Sequence, residues 1–202
     1  MDGRVVRRVV LLALSLLACV SAIRCGAPTD FSRVKVVKVF DGDTLLLSGG
    51  EKVRLIGIDC PESFENDKIF RDAKRSRRDI RAIMAMGKES HRFAERAALG
   101  RTARLEFDAE TRDRYGRLLA YVFLPAENIP AGQSRPVSLL EIDGQTWYFL
   151  NAAVVEEGYA VPMTIPPNTK YTELFRRLSR EAREAGRGLW RDGVIPASAD
   201  PA

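Results

Sequence analysis

The sequence predicts a five-stranded β-barrel of the OB type with about three helices, an α+β fold that is mainly β. Three features indicate this class: period-2 alternation early in the chain, short turns between successive apolar strands, and helical periodicity in the later segments. The chain has 202 residues, of which 46% are hydrophobic and 29% charged, so we expect one globular domain with its own core.

The first 22 residues have the parts of a secretory signal peptide. Arg4, Arg7 and Arg8 precede an apolar run over residues 9–20, and the small residue Ala22 closes the segment. The run is shorter than the roughly 20 apolar residues that span a bilayer. The sequence therefore predicts export, with the protein secreted or periplasmic after cleavage at residue 22.

The cysteines leave two alternatives open. Residues 16–19 (LLAC) resemble a lipobox, so a lipoprotein anchored to a membrane at Cys19 is the alternative to soluble export. An oxidising compartment would permit a bridge between Cys25 and Cys60, whereas the simpler interpretation makes Cys60 a small half-buried residue in a turn.

The remaining chain divides into three parts. Residues 23–31 are expected to be a flexible leader, residues 32–191 the globular domain, and residues 192–202 a disordered tail rich in Pro, Ala and Asp. The turns Asp41-Gly42-Asp43 and Gly49-Gly50 join the first three strands into a meander. The five predicted strands are residues 32–40, 44–47, 52–58, 102–107 and 118–124.

Helical periodicity predicts the other elements. Residues 64–99 predict two helical pieces broken near Gly87, and residues 125–136 predict a surface loop. Trp147, Leu150 and Val154 share one predicted helical face, which Gly158 ends. A last helix is expected to begin from an N-cap at one of two adjacent residues, Asn168 or Thr169.

Several kinds of chemistry are excluded by what the sequence lacks. His91 is the only histidine, so mechanisms that need paired histidines are excluded. There is no G-x-S-x-G elbow, C-x-x-C pair, P-loop or G-x-G-x-x-G. Any catalysis must therefore use carboxylates, arginines and a hard metal ion.

Acidic residues gather at two predicted turns. Asp41 and Asp43 flank a glycine, and Asp59 and Glu62 follow the third strand. In a meander the end of the third strand returns beside the first turn, so these carboxylates would repel one another unless a cation lay between them. Oxygen ligands of this kind suit Ca²⁺ or Mg²⁺.

Two arginines complete the pattern: Arg54 within the third strand and Arg117 at the end of the segment RDRYGR. Guanidinium groups form forked hydrogen bonds to phosphate, and a metal ion with a water-activating carboxylate would then hydrolyse a phosphodiester. Each element alone has a simpler explanation, since Asp-Gly-Asp is commonly just a turn and RDRYGR fits a solvated hairpin. Only the combination indicates a site.

This combination resembles the staphylococcal nuclease (thermonuclease) family. The similar stretches run in order between residues 32 and 190 and are VFDGDT, VRLIGIDCPE, RDRYGRLLAY, NAAVVEEGYA, PNT and GLW. The resemblance implies an OB-fold enzyme that requires Ca²⁺, hydrolyses DNA and RNA with single strands preferred, and leaves 3′-phosphate ends. The resemblance gives no reason to expect a stable protein partner.

The resemblance also implies a metal site. Asp43 and Asp59 would be the carboxylate ligands of the Ca²⁺ ion, and Asp41 would be the neighbouring acid that shapes the metal's surroundings. Cys60 stands where the family usually has Thr, and it would contribute its backbone carbonyl.

The catalytic and substrate-binding roles follow from the same resemblance. Arg54 and Arg117 would hold the scissile phosphate and stabilise its developing charge, while Glu62 would position or deprotonate the attacking water. Arg114 and Tyr115 would contact a neighbouring phosphate of the bound strand.

The chain departs from the family pattern in three places. Residues 63–86 form a longer, basic excursion, either an extra phosphate-binding surface or a solvated helix face with Ile80, Ile83 and Met84 packed inward. Residues 125–143 are also extended, either as a lid or as a surface loop. Met163-Thr164-Ile165 occupies the region where the family often has a tyrosine, which argues against aromatic stacking there and for weak base preference.

A non-catalytic OB-fold module that binds nucleic acid or protein is the alternative function. Degenerate members of a nuclease family would be expected to lose acids or arginines of the site. This sequence keeps five of them, which favours an enzyme: Asp43, Arg54, Asp59, Glu62 and Arg117.

Overall fold

The structure is a computed structural model, and it describes residues 30–64, 69, 70, 74, 79–129 and 138–193. The predicted signal peptide, most of the predicted leader and residues 194–202 lie outside the described residues. Within the described part, no helix combines the length and the continuous apolar character needed to cross a membrane.

The described residues form nine strands and three α-helices. The strands are β1 (Val34–Asp41), β2 (Thr44–Leu47), β3 (Lys52–Leu55), β4 (Gly57–Asp59), β5 (Thr102–Glu106), β6 (Leu118–Pro125), β7 (Leu139–Ile142), β8 (Gln145–Phe149) and β9 (Val161–Met163). The helices are α1 (Ile80–Ala98), α2 (Leu150–Glu156) and α3 (Thr172–Glu184), and 3₁₀ turns occur at Ala126–Asn128 and Gly188–Gly193.

Five of these strands close into the expected barrel. They pair in the order β3-β2-β1-β5-β6, and a parallel pairing of β3 with β6 completes the ring. All other pairs in the ring are antiparallel. This arrangement confirms the five-stranded OB-fold barrel with three helices.

The barrel interior is filled by the alternating side chains of its strands. In β1 the inward residues Val34, Val36 and Val39 are buried, and the change of spacing coincides with register shifts against β2. An aromatic cluster extends this core towards α3, with the rings of Phe123 and Phe149 stacked at 4.6 Å. The core therefore joins the barrel to the helices as one unit.

One buried amide connects α2 to the closure of the barrel. Asn151 accepts a hydrogen bond from the backbone N–H of Val122 at 2.9 Å, and its Nδ2 donates to the carbonyl of Ile56 at 3.0 Å. It satisfies backbone groups just where the β3–β6 pairing ends, because a buried backbone group left without a partner is costly.

Residues 52–58 were predicted to form one strand, and this prediction is wrong because the structure has two strands there, β3 and β4. Gly57 has a φ of 81°, a conformation that favours glycine, and the chain turns there out of the barrel. A Cβ at Gly57 would overlap the ring of Phe175, so α3 packs directly on this bend. As a result β4 leaves the barrel and pairs with β9, a strand that the sequence did not predict.

The predicted break of the helical region near Gly87 is wrong. Helix α1 runs through Gly87 without interruption, and the N-cap Asp79 accepts a hydrogen bond from the backbone N–H of Arg81 at 2.7 Å. The glycine is required by packing rather than by a break, as described below. Ile83 is buried as predicted, whereas Ile80 and Met84 are only partly buried.

The region after the barrel also differs from its prediction. Residues 139–149 form the β7–β8 hairpin, and β8 extends the sheet beyond β6. Trp147 belongs to β8, whereas Leu150 and Val154 belong to α2, so the three residues do not share one helix as predicted. Helix α3 begins at Thr172 after Tyr171, later than the predicted N-cap at Asn168 or Thr169.

We expect Asn151→Ala to lower the free energy of unfolding by about 3 kcal/mol, since it leaves a buried N–H and a buried carbonyl without partners. Urea denaturation monitored by circular dichroism measures the change. Gln145→Ala, at an exposed position of β8, is the control and should alter stability by at most about 0.5 kcal/mol. Equal stability of the two variants would contradict the role assigned to Asn151.

Candidate active site

A groove of about 1100 Å³ opens on the side of the barrel where β3, β4 and the segment before β6 meet. It brings together most of the residues that the sequence singled out. The acidic and basic groups that line it are Asp41, Asp43, Arg54, Asp59, Glu62, Glu110, Arg112, Asp113, Arg114 and Arg117. Cys60 is not among the lining residues.

Asp43 lies at the inner end of the groove and is only 5% exposed. Its Oδ2 accepts a hydrogen bond from the backbone N–H of Cys60 at 2.8 Å, and its Oδ1 accepts one from the hydroxyl of Thr44 at 3.2 Å. One carboxylate therefore joins the β1–β2 turn to the end of β4. Sequence reasoning did not single out Thr44, although it adjoins the DGD turn.

Arg54 lies between two of the predicted metal ligands. Its Nη1 forms an ion pair with Asp43, and its Nη2 donates to Asp59 Oδ1 at 3.0 Å. Burial would lower the pKa of Arg54, but the charges of Asp43 and Asp59 outweigh it and raise that pKa. The guanidinium is thus fixed in its charged form, and 11% of its side chain is exposed to the groove.

Asp41 shows that negative charge is in excess around this arginine. Its Oδ1 accepts a hydrogen bond from the backbone N–H of Asp43 at 3.0 Å. Burial raises the pKa of Asp41 to about 7, and the neighbouring charge of Asp43 adds to the effect. One guanidinium therefore does not neutralise the three carboxylates of Asp41, Asp43 and Asp59.

Arg117 lies just before β6, the strand that pairs with β3, and is held by Asp113. The Nε of Arg117 donates to Asp113 Oδ2 at 2.7 Å, while the backbone N–H groups of Arg117 and Tyr115 each donate to Asp113 Oδ1 at 2.9 Å. Burial would raise the pKa of Asp113, but the hydrogen bonds from Arg117 lower it. Sequence reasoning assigned no role to Asp113, although its Asp-x-x-x-Arg spacing suits a turn that binds its own arginine.

Tyr115 projects from the same loop into solvent and is 70% exposed. The guanidinium groups of Arg114 and Arg117 lie 4.8 Å and 5.7 Å from the centre of its ring. The loop is anchored by Arg112, which forms two hydrogen bonds with Glu51 at 2.7 Å and 3.0 Å. An exposed ring between two cations is suited to a base or a phosphate of a bound strand.

Glu62 lines the groove, and its backbone packs directly on helix α1. Gly87 of α1 is buried against the carbonyl of Glu62 and the backbone nitrogen of Ser63, so that a Cβ at this position would overlap both. The same face of α1 reaches the DGD turn, where His91 Nδ1 lies 3.1 Å from the carbonyl oxygen of Phe40. Helix α1 therefore contacts both acidic turns of the site.

Cys60 lies beneath the groove rather than in it. It is 3% exposed, so it is more deeply buried than the half-buried position predicted for it. Burial raises the pKa of its thiol well above the ordinary value, and the charge of Asp43 adds to this. Cys25, the other member of the disulfide considered above, lies outside the described residues.

The far wall of the groove is apolar and is held by a buried amide. Met163 and Ile165 line this wall where the family pattern has a tyrosine, and Ile165 is 59% exposed. Asn168 fixes the wall to the loop before β6, because its Oδ1 accepts from the backbone N–H of Glu110 at 2.8 Å and its Nδ2 donates to the Glu110 carbonyl at 3.0 Å.

The oxygen donors around Asp43 fit a hard divalent cation. Asp41, Asp43 and Asp59 carry more negative charge than Arg54 balances, and carboxylate oxygens are the ligands that Ca²⁺ prefers. Asp43 and Asp59 each contact Arg54 here, and the described residues contain no group of three His, Cys, Asp or Glu side chains arranged to hold a metal ion. Binding would therefore require these carboxylates to turn partly from the guanidinium towards the ion.

The fold and the groove together define an OB-fold protein whose barrel carries an arginine- and carboxylate-lined site. The chain belongs to the family of staphylococcal nuclease homologues, whose family pattern matches residues 52–192.

Named relatives agree with this assignment. The thermonuclease of Staphylococcus intermedius is 29% identical over 77% of this chain and 74% of its own length. The uncharacterized protein MJ1439 of Methanocaldococcus jannaschii is 30% identical over 77% of this chain and 70% of its own. Endonuclease YncB of Bacillus subtilis is 27% identical over 83% of this chain and 68% of its own.

We expect Gly87→Ala to displace the backbone of Glu62 and to lower kcat for nucleic acid hydrolysis at least about tenfold, since small misplacements of a reacting group are costly. The fold should survive, because alanine is favoured over glycine inside a helix by about 1 kcal/mol. Steady-state kinetics with thermal denaturation separate the two effects. Gly49→Ala, where a Cβ would meet nothing within 4 Å, is the matched control. Unchanged kcat in Gly87→Ala would show that α1 does not position Glu62.

Proposed function

We propose that this nuclease is an exported, Ca²⁺-dependent endonuclease that hydrolyses phosphodiester bonds of DNA and RNA, prefers single strands and leaves 3′-phosphate ends. The observation that carries the proposal is the shared groove of Arg54, Arg117 and Glu62 beside the carboxylates of Asp43 and Asp59. These groups are the complement that hydrolysis of a phosphodiester requires.

The scissile phosphate would bind between the two guanidinium groups. Arg54 is held by Asp43 and Asp59, and Arg117 is held by Asp113, so both are oriented before substrate arrives. Fixed donors stabilise the extra charge of the pentavalent transition state without reorganising during the reaction. Removing either arginine is therefore expected to lower kcat more than it alters substrate binding.

Asp43, Asp59 and the backbone carbonyl of Cys60 are the groups that would hold the Ca²⁺ ion, with Asp41 shaping its surroundings. When bound, the ion supplies Lewis-acid stabilisation of the phosphate charge. If Asp43 and Asp59 turned from Arg54 to hold the ion, donors of the Arg54 guanidinium would become available to the substrate.

Glu62 would act on the attacking water. It accepts a proton from the water as the new O–P bond forms, and the bond between phosphorus and the 5′-oxygen breaks. The 5′-oxygen leaves and takes up a proton, so the phosphate remains on the 3′ side of the cut. This balance gives the proposed 3′-phosphate products.

The strand beyond the scissile bond would lie along Tyr115 and Arg114 on one side and Met163 and Ile165 on the other. The exposed Tyr115 ring accepts any base by stacking, whereas Met163 and Ile165 offer only apolar contact. Neither wall presents a set of donors suited to one base. We therefore expect the enzyme to show weak sequence preference and to prefer unpaired bases.

We expect Glu62→Gln to lower kcat by about 10²–10⁴-fold with KM nearly unchanged, because the carboxylate that accepts the proton is lost while the shape is kept. The assay measures hydrolysis of single-stranded DNA and RNA by the purified mature chain, with Ca²⁺ or with a chelator, and identifies the ends by mass spectrometry. The wild type should be inactive with the chelator.

Glu110→Gln is the matched control for that variant, since Glu110 lines the same groove but is exposed and has no assigned catalytic role. It should retain wild-type kcat. If the wild type bound DNA but did not cleave it in the presence of any divalent cation, the non-catalytic binding module would be the better description. Products with 5′-phosphate ends would disprove the proposed bond cleavage.

Export is the remaining part of the proposal, and it rests on the amino-terminal sequence. Cleavage after Ala22 would give a mature chain that begins at Ile23. We expect a bacterial host to release this form, which amino-terminal sequencing identifies. A chain acylated at Cys19, and released from the membrane by Cys19→Ser, would instead assign the lipoprotein route. Full-length chain retained in the cytoplasm would contradict export.

A further inference from the structure

A second cleft, of about 880 Å³, opens at the other end of β5 and β6 from the active-site groove. The groove includes Leu119 near the start of β6, and the cleft includes Pro125 at its end. At a strand rise of about 3.3 Å per residue, these positions lie about 20 Å apart. The cleft is therefore separate from the catalytic residues.

The second cleft is lined by three arginines, Arg33, Arg101 and Arg104, and Glu127 is the one carboxylate among its lining residues. The register pairs Val34 with Ala103, which sets Arg33 opposite Arg104 across neighbouring strands. Like charges in such pairs repel each other, so this arrangement costs stability unless an anion lies between them.

The cleft's arginines are only partly neutralised in the part of the chain that the structure describes. Arg104 donates to Asp143 at 3.1 Å, but that carboxylate is 82% exposed and therefore well screened by solvent. The charge of Arg33 acts on the carboxylate of Asp30, but Asp30 is fully exposed, so solvent screens this interaction. Arg101 donates from Nη2 to the carbonyl of Arg96 at 3.3 Å, which holds its guanidinium at the cleft.

Trp147 forms the apolar wall of this cleft. The guanidinium of Arg104 lies 5.8 Å from the centre of its indole ring, and Trp147 itself is only 9% exposed. A guanidinium held over an aromatic ring keeps its outer donors available while losing little freedom on binding. The cleft thus offers a fixed cationic surface suited to phosphate oxygens.

We propose that this arginine cleft is a second binding site for the phosphodiester backbone of the same nucleic acid strand whose scissile bond lies in the active-site groove. The inference rests on the proposed function. A span of about 20 Å corresponds to about six phosphates at the roughly 3.4 Å rise of a stacked strand, and to fewer in an extended strand, so several phosphates separate the two sites. Only strands longer than this can occupy both sites, so the cleft strengthens binding of long substrates and leaves short ones unaffected.

The test compares a dT dinucleotide, whose single phosphodiester cannot contact both sites, with a dT strand of about 30 nucleotides, which exceeds the length needed to reach both. For Arg33→Gln/Arg104→Gln, we expect KM for the long strand to rise about tenfold at low salt, with kcat unchanged. The slope of log KM against log salt should fall by about 1.4, since each lost phosphate contact removes about 0.7 for single strands. Both constants for the dinucleotide should stay at wild-type values.

Two further variants separate a binding site from a general charge effect. Arg176→Gln/Arg180→Gln removes the same charge from the exposed face of α3 and should leave the length dependence intact. Arg33→Lys/Arg104→Lys keeps the charge and should retain most of the salt slope. An equal rise of KM for both substrate lengths, an equal effect of the α3 variant, or no effect at all would overturn the proposal.

Binding without turnover keeps this inference distinct from the proposed function. Fluorescence anisotropy with labelled dT strands in a chelator gives the affinity for each length. If the wild type cleaves neither strand, the proposed function fails, while a length-dependent loss of affinity in Arg33→Gln/Arg104→Gln still supports the cleft. If the wild type cleaves both the short and the long substrate, and wild type and variant bind them with identical affinities, the proposal for the cleft is rejected and the proposed function is kept.

Discussion

The ion pairs of Arg54 with Asp43 and Asp59 hold the site together. They connect the end of the β1–β2 turn, strand β3 and the end of β4, three segments that the barrel closure brings side by side. Removing one partner of a buried ion pair leaves an uncompensated charge, which is more costly than the net gain from the pair itself. The excess negative charge from Asp41 makes the same cluster receptive to a cation. Stability and chemistry therefore depend on one set of contacts.

The barrel and helix α1 position different residues of the site. The barrel fixes Arg54 through the pairing of β3 with β2 and β6, whereas α1 fixes the backbone of Glu62 by direct contact at Gly87. Close approach of backbones is more exact than contact through long side chains, since it removes rotamer freedom. Asp113 does the equivalent for Arg117 by binding its side chain and its backbone together. Each proposed catalytic group thus has its own structural support.

Much of this arrangement could be predicted from the sequence, because short-range patterns determine it. Alternation and turn residues specified the barrel strands, and the acidic and basic motifs placed the groove residues correctly as neighbours. The errors arose where long-range packing overrides local preference. Gly87 is inside a helix because Glu62 lies against it, and Gly57 divides a strand because Phe175 packs on the bend. The β7–β8 hairpin is an error of a different kind, because its two-residue turn Asp143-Gly144, with positive φ at both residues, is a local signal that was overlooked. Asp113 acts through contacts that spacing alone only suggests.

The deep burial of Cys60 has a consequence for the whole domain. Its sulfur lies against the Gly42 backbone beneath the acidic turn, where even one added methyl group at Gly42 would collide with it. Oxidants and disulfide-exchange reagents attack the thiolate, and this thiol is both inaccessible and strongly disfavoured from ionising. The domain thus keeps a thiol next to its reactive centre while shielding it from reagents in solution.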